Sequence, residues 1–401
     1  MSIDRAGLWS RRGASHLSCA HRGYSARCPE NTLPAVEAAI PQADYVELDL
    51  RVSADGAVVV LHDPTPERTT DVAARWPQRR TDPVESFDLQ DLRRLDAGSW
   101  FGEGFAGAAV PVLQEVLELV DGTPCGVLLE VKGRTPTEAC PAVIAQAVTD
   151  FRRGHPDCHI TLGSVRPEVA RSLADSVAGI PVGVLFVDQD RLAPDELADH
   201  ASFASFLGFR NDRLTAETVA RVHAAGLQVC HNTNTRTAIA ASLAAGADAT
   251  MSDDPGVVAD VVQGCAVTVI EAEHLVPRAQ GSAPVRLAEA RVPYKYSGRA
   301  AAVVVAAAGE RAVLPLGELP PGPLVCRVGT GPAGGGVTMA LDDGPAVEVD
   351  SFSRSPARRA VAVGDVTGPG EHQLVVERAP AGADPAELVI DTVEVRGAPA
   401  G

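Results

Sequence analysis

Short apolar runs alternate with amphipathic, alanine-rich segments through residues 17–252, and this alternation restricts the fold more than any other feature of the sequence. The segments VLQEVLELV and ETVARVHAAG have the apolar spacing of helices. Repeated strand–helix units imply a parallel sheet, and eight of them predict an α/β fold, the (β/α)₈ or TIM barrel. A doubly wound open sheet is the alternative, but no GxGxxG follows the first strand. The eight predicted strands are Leu17–His21, Tyr45–Arg51, Gly126–Lys132, His159–Ser164, Val182–Val187, Phe206–Phe209, Gln228–Asn232 and Asp248–Ser252.

A ninth apolar run, Val58–His62, follows the second strand too closely for a parallel crossover. The intervening Asp-Gly predicts a β-hairpin whose turn is centred on Ala54–Gly56. To within one or two residues, this pairing places His62 opposite Glu47 or Leu48. A histidine is thereby brought back beside the acidic residues of the second strand.

The chain changes character near residue 265, where the helical pattern fades. Runs such as LVCRVGT, GVTMALDDG and HQLVVER are separated by turns rich in glycine and proline. This pattern is typical of an all-β sandwich or jelly roll. We therefore predict two domains, residues 1–264 and 265–401, with a linker near Gln263–Val267.

The charge and cysteine content indicate which partners and compartment to expect. With 35 Lys+Arg against 52 Asp+Glu, the formal net charge is −17, which disfavours nucleic acid and anionic membranes as partners. No apolar run approaches the roughly 18 residues of a transmembrane helix, and the first residues do not form a secretory signal. The eight cysteines contain no CxxC pair, which indicates free thiols in a reducing compartment. We predict a cytoplasmic protein.

Acidic residues occur at unusual positions on two predicted strands. Alternation along Tyr45–Arg51 places Glu47 and Asp49 on one face, and Glu130 and Lys132 share a face at the end of the third strand. Buried carboxylates need a cation or hydrogen-bond partners. A solvated strand edge and a surface ion pair are the plainer explanations. Carboxylates that meet at one rim would instead form an oxygen site for Mg²⁺ or Ca²⁺, and a site without histidine or thiolate ligands disfavours zinc.

His21-Arg22-Gly23 directly follows the first strand. Arg22 has the donor geometry to bind a phosphate, and a histidine such as His21 can accept or donate a proton in catalysis. A single histidine at the end of a strand is more often structural. Together with His62 and the carboxylates, however, these residues form a set suited to phosphodiester cleavage: one histidine deprotonates the nucleophile and the other protonates the leaving oxygen.

The longer motifs resemble those of glycerophosphodiester phosphodiesterases over residues 17–262. The similar segments, in chain order, are AHRGYSARCPENT, VELDLRVSADGAVVVLHD, PERTTD, LDAGSWF, VPVLQEVLEL, LLEVK and GADATMSDDP. The resemblance implies a TIM barrel that hydrolyses glycerophosphodiesters to sn-glycerol 3-phosphate and an alcohol.

The resemblance also implies roles for individual residues. It gives His21 and His62 as the acid–base pair, Glu47, Asp49 and Glu130 as ligands of Mg²⁺ or Ca²⁺, Arg22 and Lys132 as phosphate contacts, Asn31 as a site residue, and residues 64–110 as an inserted cap that recognises glycerol. Where the family has Trp-Thr-Val-Asn, this chain has His231-Asn232-Thr233-Asn234, so His231 is predicted to replace the pocket tryptophan on the alcohol side.

The C-terminal region resembles carbohydrate-binding jelly rolls of the galactose-binding type in VIEAEHL, GPLVCRV, MALDDGP and AELVIDTVEV. This resemblance implies a sugar or cell-wall polymer as a partner, with Tyr294, Tyr296 and Phe352 as the main aromatic candidates. A sandwich without a ligand is the alternative. For the whole chain, the competing functions are a phosphodiesterase similar to lysophospholipase D or sphingomyelinase D, and a non-catalytic sugar-binding protein.

Overall fold

The first strand, β1 (Leu17–Ala20), pairs with both β2 (Tyr45–Val52) and β9 (Ala249–Ser252), and this double pairing closes a barrel of eight parallel strands. The computed structural model describes residues 16–190, 192–210, 214–264, 267–271, 275–283, 285–289, 300–306, 310–319, 321–330, 336–350, 357–367, 371–378 and 386–396. The predicted (β/α)₈ barrel is confirmed, and each of its strands lies within a residue of its predicted position.

The remaining strands of the barrel sheet are β3 (Val58–Val60), β4 (Gly126–Val131), β5 (Ile160–Ser164), β6 (Val182–Val187), β7 (Phe206–Phe209) and β8 (Gln228–Asn232). The helices described are α1 (Leu33–Ala39), α2 (Val72–Arg75), α3 (Leu89–Leu92), α4 (Leu113–Val120), α5 (Pro136–Ala139), α6 (Pro141–Gly154), α7 (Pro167–Ser176), α8 (Pro194–Ala201), α9 (Ala216–Ala224), α10 (Arg236–Ala244) and α11 (Pro255–Val262).

Local sequence explains where these helices begin and which face they bury. Proline occupies the first position of α6, α7 and α8, where its missing N–H costs no hydrogen bond. The Thr215 and Thr235 side chains accept hydrogen bonds from the first turns of α9 and α10. In α4, Leu113, Val116 and Leu117 are buried together, as helical spacing requires.

The interior of the barrel contains one apolar cluster to which most strands contribute. Its members are Leu17, Cys19, Tyr45, Leu128, Leu185, Phe206, Cys230, Ala249 and Met251. Because side chains alternate along a strand, these residues identify the inward face of each contributing strand. On β2 and β4 that face continues to Glu47, Asp49 and Glu130, so the carboxylates follow the apolar layer towards the carboxyl ends of the strands.

The predicted hairpin is present. Strand β3 pairs antiparallel with β2, with Val60 opposite Leu50. The turn is closed by a hydrogen bond from Ser53 N to Ala57 O, and Gly56 has φ +86°. The strand ends at Val60, and extending its register by two residues brings His62 level with Leu48, as predicted.

The segment 64–110, which follows the hairpin, contains α2, α3 and short 3₁₀ turns. Its apolar side chains form a cluster with those of the hairpin, made of Val59, Leu61, Val72, Val84, Phe87, Leu92, Leu95, Ala97 and Val110. The insertion thus has a core of its own, anchored on β3.

By its internal packing the chain divides into two compact units, residues 1–99 with 105–262 and residues 100–104 with 263–401. Within residues 263–401 of this unit, the described regular elements are strands and one 3₁₀ turn. These are β10 (Val267–Glu271), β11 (Gln280–Gly281), β12 (Val285–Glu289), β13 (Ala300–Ala306), β14 (Arg311–Glu318), β15 (Gly322–Thr330), β16 (Gly336–Leu341), β17 (Val347–Asp350), β18 (Ala357–Val366), β19 (Glu371–Glu377) and β20 (Ala386–Arg396).

The strands of the second unit form two antiparallel sheets. One has the order β12-β13-β20-β15-β18, with β10 also paired to β20, and the other has the order β11-β14-β19-β16-β17. Side chains from both sheets, among them Leu314, Cys326, Met339 and Ile390, belong to one hydrophobic cluster. The candidate sugar-stacking residues Tyr294, Tyr296 and Phe352 lie outside the described residues.

Two further observations concern the described part of the chain as a whole. None of its helices combines the length and the apolar composition that a membrane crossing requires. No disulfide joins its seven cysteines, of which all but Cys140 are buried.

Candidate active site

Three buried carboxylates meet at the carboxyl ends of β2 and β4. Asp49 lies opposite Glu130 in the parallel register, and Glu47 is two residues earlier on the same face of β2. Each of the three is 1% exposed, and each offers one oxygen within 4.8 Å of the other two. A single cation can therefore reach all three side chains.

The state of Glu47 shows that a cation suits this cluster. Its Oε2 accepts a hydrogen bond from the Arg22 backbone N–H at 3.0 Å, whereas its buried Oε1 has no hydrogen-bond partner among the described residues. Burial, together with the neighbouring Asp49 and Glu130, raises the pKa of Glu47 well above its ordinary value. A bound cation would compensate this charge, and a donor set made of oxygens alone fits Mg²⁺ or Ca²⁺.

Asp49 is held in its ionised form by its surroundings. Lys132 Nζ lies 2.9 Å from Asp49 Oδ1 and also donates to Glu130. Asn31 donates to Asp49 Oδ2 at 2.7 Å and accepts from the Asp49 backbone N–H at 3.1 Å. Although burial favours the neutral acid, Lys132 and Arg22 hold the pKa of Asp49 well below its ordinary value. Asn31 and Lys132 thus both contact the carboxylate of Asp49.

The turn after β1 brings His21 and Arg22 to the same rim. His21 Nδ1 lies 2.6 Å from Asp253 Oδ1, and its Nε2 lies 4.0 Å from Glu47 Oε2. Arg22 has a left-handed backbone, with φ 56°, and its Nε lies 3.5 Å from Asp49 Oδ2. The hydrogen bond from its backbone N–H to Glu47 fixes this uncommon conformation, and strained backbone of this kind often occurs at active sites.

Gly23 completes the turn and gives a stability prediction. Its φ is +81°, and a Cβ added there would lie 2.6 Å from Ala35 Cβ and 2.8 Å from the Ala35 carbonyl. We expect Gly23→Ala to lower the free energy of unfolding by roughly 2–4 kcal/mol, from left-handed strain and overpacking together. Gly56→Ala is the matched control, because Gly56 has φ +86° with no atom within 4 Å of an added Cβ. Urea denaturation should show a smaller loss of unfolding free energy for Gly56→Ala than for Gly23→Ala. Equal losses would mean that small shifts in the structure relieve the clash with Ala35.

His62 lies on the segment that follows β3. Its Nδ1 is 2.6 Å from Asp63 Oδ1, and its backbone carbonyl accepts two hydrogen bonds from the Arg51 guanidinium. The His62 side chain is 31% exposed, against 15% for His21. Each histidine therefore has its Nδ1 on a carboxylate, an arrangement that leaves Nε2 for a substrate.

The role predicted for His231 needs correction. His231 is buried on β8, next to Cys230, whose side chain belongs to the interior cluster of the barrel. Successive side chains of a strand point to opposite faces, so His231 lies on the outer face and Asn232 on the inner one. The inward position in the stretch 231–234 is thus Asn232, and the structure does not bring His231 together with the carboxylates.

The sequence interpretation missed several side chains that support the site. Asp253 lies 2.6 Å from His21 Nδ1 and accepts a hydrogen bond from Asn234 at 2.7 Å. Arg68, within PERTTD, contacts both Asp63 and Glu30. The only available signal in the sequence was that these charged residues fall inside the motifs that resemble those of glycerophosphodiester phosphodiesterases.

A comparison with known protein families bears directly on this site. The model of the glycerophosphoryl diester phosphodiesterase family matches residues 21–257, more than half of the chain. The chain belongs to this family. The matched region contains both histidines, both cationic residues and all three carboxylates.

Individual relatives agree with this membership. YhdW of Bacillus subtilis (strain 168), provisionally named a glycerophosphodiester phosphodiesterase, is 29% identical over 239 residues, which are 59% of this chain and 93% of that protein. A glycerophosphodiester phosphodiesterase of Caldanaerobacter subterraneus subsp. tengcongensis is 42% identical over 117 residues. That match covers 29% of this chain and 45% of the relative, so it spans less than half of the relative's length.

A solved structure also resembles the barrel. The Oleispira antarctica phosphodiesterase OLEI02445, solved in complex with the product sn-glycerol-3-phosphate, has a TM-score of 0.52 and 26% sequence identity. The match covers 61% of this chain and 96% of the neighbour. Family, relatives and fold together identify the chain as an enzyme, a glycerophosphodiester phosphodiesterase of the phosphoric diester hydrolase class.

Proposed function

We propose that this enzyme hydrolyses glycerophosphodiesters to sn-glycerol 3-phosphate and an alcohol, using a divalent cation and the acid–base pair His21 and His62. The observation that carries the proposal is the meeting of both histidines with the buried carboxylates at one end of the barrel, where the active sites of this fold lie. The product bound to the Oleispira antarctica phosphodiesterase supports the choice of glycerol 3-phosphate.

Glu47, Asp49 and Glu130 would hold the cation. When bound, Mg²⁺ or Ca²⁺ supplies positive charge that stabilises the phosphoryl oxygens. The raised pKa of Glu47, caused by burial and by its acidic neighbours, supports this assignment, because the cluster without a cation leaves like charges close together. Arg22 and Lys132 add fixed positive charge beside Asp49 and would contact the phosphate.

The two histidines would move the protons. In the mechanism implied by the family, the glycerol 2-hydroxyl attacks phosphorus, the bond to the leaving oxygen breaks, and water then opens the cyclic phosphate. One histidine accepts the proton of the attacking hydroxyl, and the other donates a proton to the leaving alcohol. The carboxylates Asp253 and Asp63, on the Nδ1 atoms of His21 and His62, favour the tautomer with Nε2 available for these transfers.

Release of glycerol 3-phosphate from glycerophosphocholine tests the reaction and its metal dependence together. We expect EDTA to abolish release and added Mg²⁺ or Ca²⁺ to restore it, because the carboxylates alone would repel the phosphate. Trapping a cyclic glycerophosphate during turnover would support attack by the 2-hydroxyl. Full activity in EDTA would contradict the metal site, and the absence of release with either ion would contradict the substrate.

The alternative phosphodiesterases act on lipids, and the insertion supports the glycerophosphodiester proposal over them. Relatives of that kind tend to lack a glycerol-recognising cap, whereas residues 64–110 here form a segment with its own apolar cluster. This segment therefore favours a glycerol substrate. The non-catalytic alternative is disfavoured because every residue of the acid–base and carboxylate set is present.

For the C-terminal region we retain the division at residues 264/265 and the all-β sandwich or jelly roll as proposals. The two antiparallel sheets and their common cluster support a sandwich. A carbohydrate partner and a cytoplasmic location both stay predictions. Sedimentation of the full chain with insoluble cell-wall polysaccharide would test the former, and the absence of co-sedimentation would favour a sandwich without a ligand.

A further inference from the structure

One arginine of the insertion joins two carboxylates that belong to different parts of the site. Arg68 Nε and Nη2 donate to Asp63 at 2.6 and 3.1 Å. Its Nη1 and Nη2 donate to Glu30 at 2.8 and 2.6 Å. Arg68 thus forms two bidentate pairs with one guanidinium, a use of the planar fork that lysine cannot reproduce.

Each of these carboxylates holds a residue of the proposed reaction. Asp63 lies on Nδ1 of His62, and Glu30 accepts a hydrogen bond from Nη1 of Arg22 at 2.8 Å. The contacts form one continuous chain, Arg22–Glu30–Arg68–Asp63–His62. It runs from the turn after β1 into the insertion, and Arg68 is its central member.

Both carboxylates in this series of contacts are mostly shielded from solvent. The Glu30 side chain is 12% exposed and that of Asp63 is 22% exposed, so neither carboxylate is well solvated. Although burial favours the neutral acids, Arg22 and Arg68 lower the pKa of Glu30 to about 2, and His62 and Arg68 hold the pKa of Asp63 below its ordinary value. Removing Arg68 would leave two partly buried negative charges side by side, and both would turn to other partners.

We propose that Arg68 is a positioning residue that orients His62 through Asp63 and Arg22 through Glu30. The inference rests on the proposed function of His62 and Arg22, and it gives the insertion a second role besides the recognition of glycerol. Arg68 itself need not touch the substrate. Arg68 affects turnover because it orients the His62 imidazole. It affects substrate binding because it orients the Arg22 guanidinium.

The kinetic test compares Arg68→Gln with Arg68→Lys on glycerophosphocholine. We expect Arg68→Gln to lower kcat about 10- to 100-fold, the loss that is typical when a residue that orients a metal ligand is removed. Arg68→Lys should recover only part of this loss. Added guanidinium should restore activity to Arg68→Ala. Arg79→Gln is the matched control, because Arg79 also joins two carboxylates of the insertion, Asp82 and Asp91, but contacts no histidine.

The two arms of the chain can be separated. Asp63→Asn should lower kcat with little change in KM, whereas Glu30→Gln should mainly raise KM, because it frees Arg22. Arg68→Gln should show both effects. A variant Arg68→Gln with unchanged kcat and KM would overturn the proposal, and so would losses that match those of Arg79→Gln, because they would report folding alone.

A spectroscopic readout keeps the inference independent of the substrate. The hydrogen bond between His62 and Asp63 should give a low-field proton resonance, identified by its loss in His62→Ala. We expect this resonance to disappear in Arg68→Gln and to persist in Arg79→Gln. Its persistence in Arg68→Gln would refute the positioning role even if glycerophosphocholine is not the substrate, whereas its loss without any phosphodiesterase activity in the wild type would refute only the proposed function.

Discussion

Replacing either His21 or His62 by alanine is expected to lower kcat for glycerophosphocholine by about 100- to 10,000-fold, the range of general acid–base catalysis. The physical reason is that the 2-hydroxyl is a weak nucleophile until it loses its proton, and the alkoxide is a poor leaving group until it gains one. Each histidine has its Nδ1 2.6 Å from its own carboxylate. The remaining histidine therefore cannot take over the role of the missing one without breaking this contact.

The leaving group separates the two roles. Choline leaves as an alkoxide that needs a proton, whereas p-nitrophenolate leaves without one. With the p-nitrophenyl ester of glycerol 3-phosphate, the variant that lacks the general acid should regain most of its activity, and the variant that lacks the general base should not. The ratio of kcat values on the two substrates therefore assigns acid and base to His21 and His62.

His155→Ala is the matched control for both variants. His155 has the same contact, with Nδ1 2.6 Å from Asp121 Oδ2, but it stacks on Phe151 at the end of α6, before β5, and so at the opposite end of the barrel. Its loss should leave kcat unchanged on both substrates. If His21→Ala and His62→Ala behave like His155→Ala, the acid–base assignment is wrong.

The parts of the molecule that were predictable from sequence are those fixed by alternation and spacing. Strands buried on both faces must be short apolar runs, which is why the eight barrel strands were recognisable. The same alternation marked Glu47 and Asp49 as inward-facing, since charged residues stand out on the face that Tyr45 begins. The hairpin followed from the Asp-Gly turn and from the short distance along the chain.

The parts that could not be predicted depend on loops that meet in space. Glu30 lies on the connection after β1, whereas Asp63 and Arg68 lie on the connection after β3. Nothing in the sequence indicates that the Arg68 guanidinium joins both carboxylates. His231 shows a different limit. A shift of one residue in matching a short strand moves a side chain to the other face, so a motif matched by counting assigned the pocket position to His231 rather than to Asn232.

Neutralising one carboxylate of the cluster should raise the stability of the cation-free protein and lower its activity. Without a cation, Glu47 is buried beside Asp49 and Glu130, and these neighbours, with burial, raise its pKa. A folded state that binds a proton more tightly than the unfolded state loses stability as pH rises between the ordinary and the raised pKa. In EDTA, the wild type should therefore become less stable over that range, and Glu47→Gln should not.

We accordingly expect Glu47→Gln to raise the free energy of unfolding in EDTA at neutral pH by roughly 1–4 kcal/mol, the gain seen when buried ion pairs are replaced by uncharged side chains. The same variant should lose at least about 100-fold in activity. Substitution of a residue that only hydrogen-bonds to a metal ligand already lowers metal affinity or activity about 10- to 100-fold, and Glu47 is proposed to be a ligand itself. Thermal unfolding with and without Mg²⁺ or Ca²⁺ measures the stability of both proteins and their response to the cation, which should stabilise the wild type and not the variant.

Asp44→Asn is the control. Asp44 accepts hydrogen bonds from Ser18 away from the cluster, so its change should bring no gain in stability and leave the response to the cation intact. A variant Glu47→Gln that is less stable than the wild type in EDTA would mean that Glu47 is satisfied without a cation, and the carboxylates would then be a structural cluster rather than a metal site.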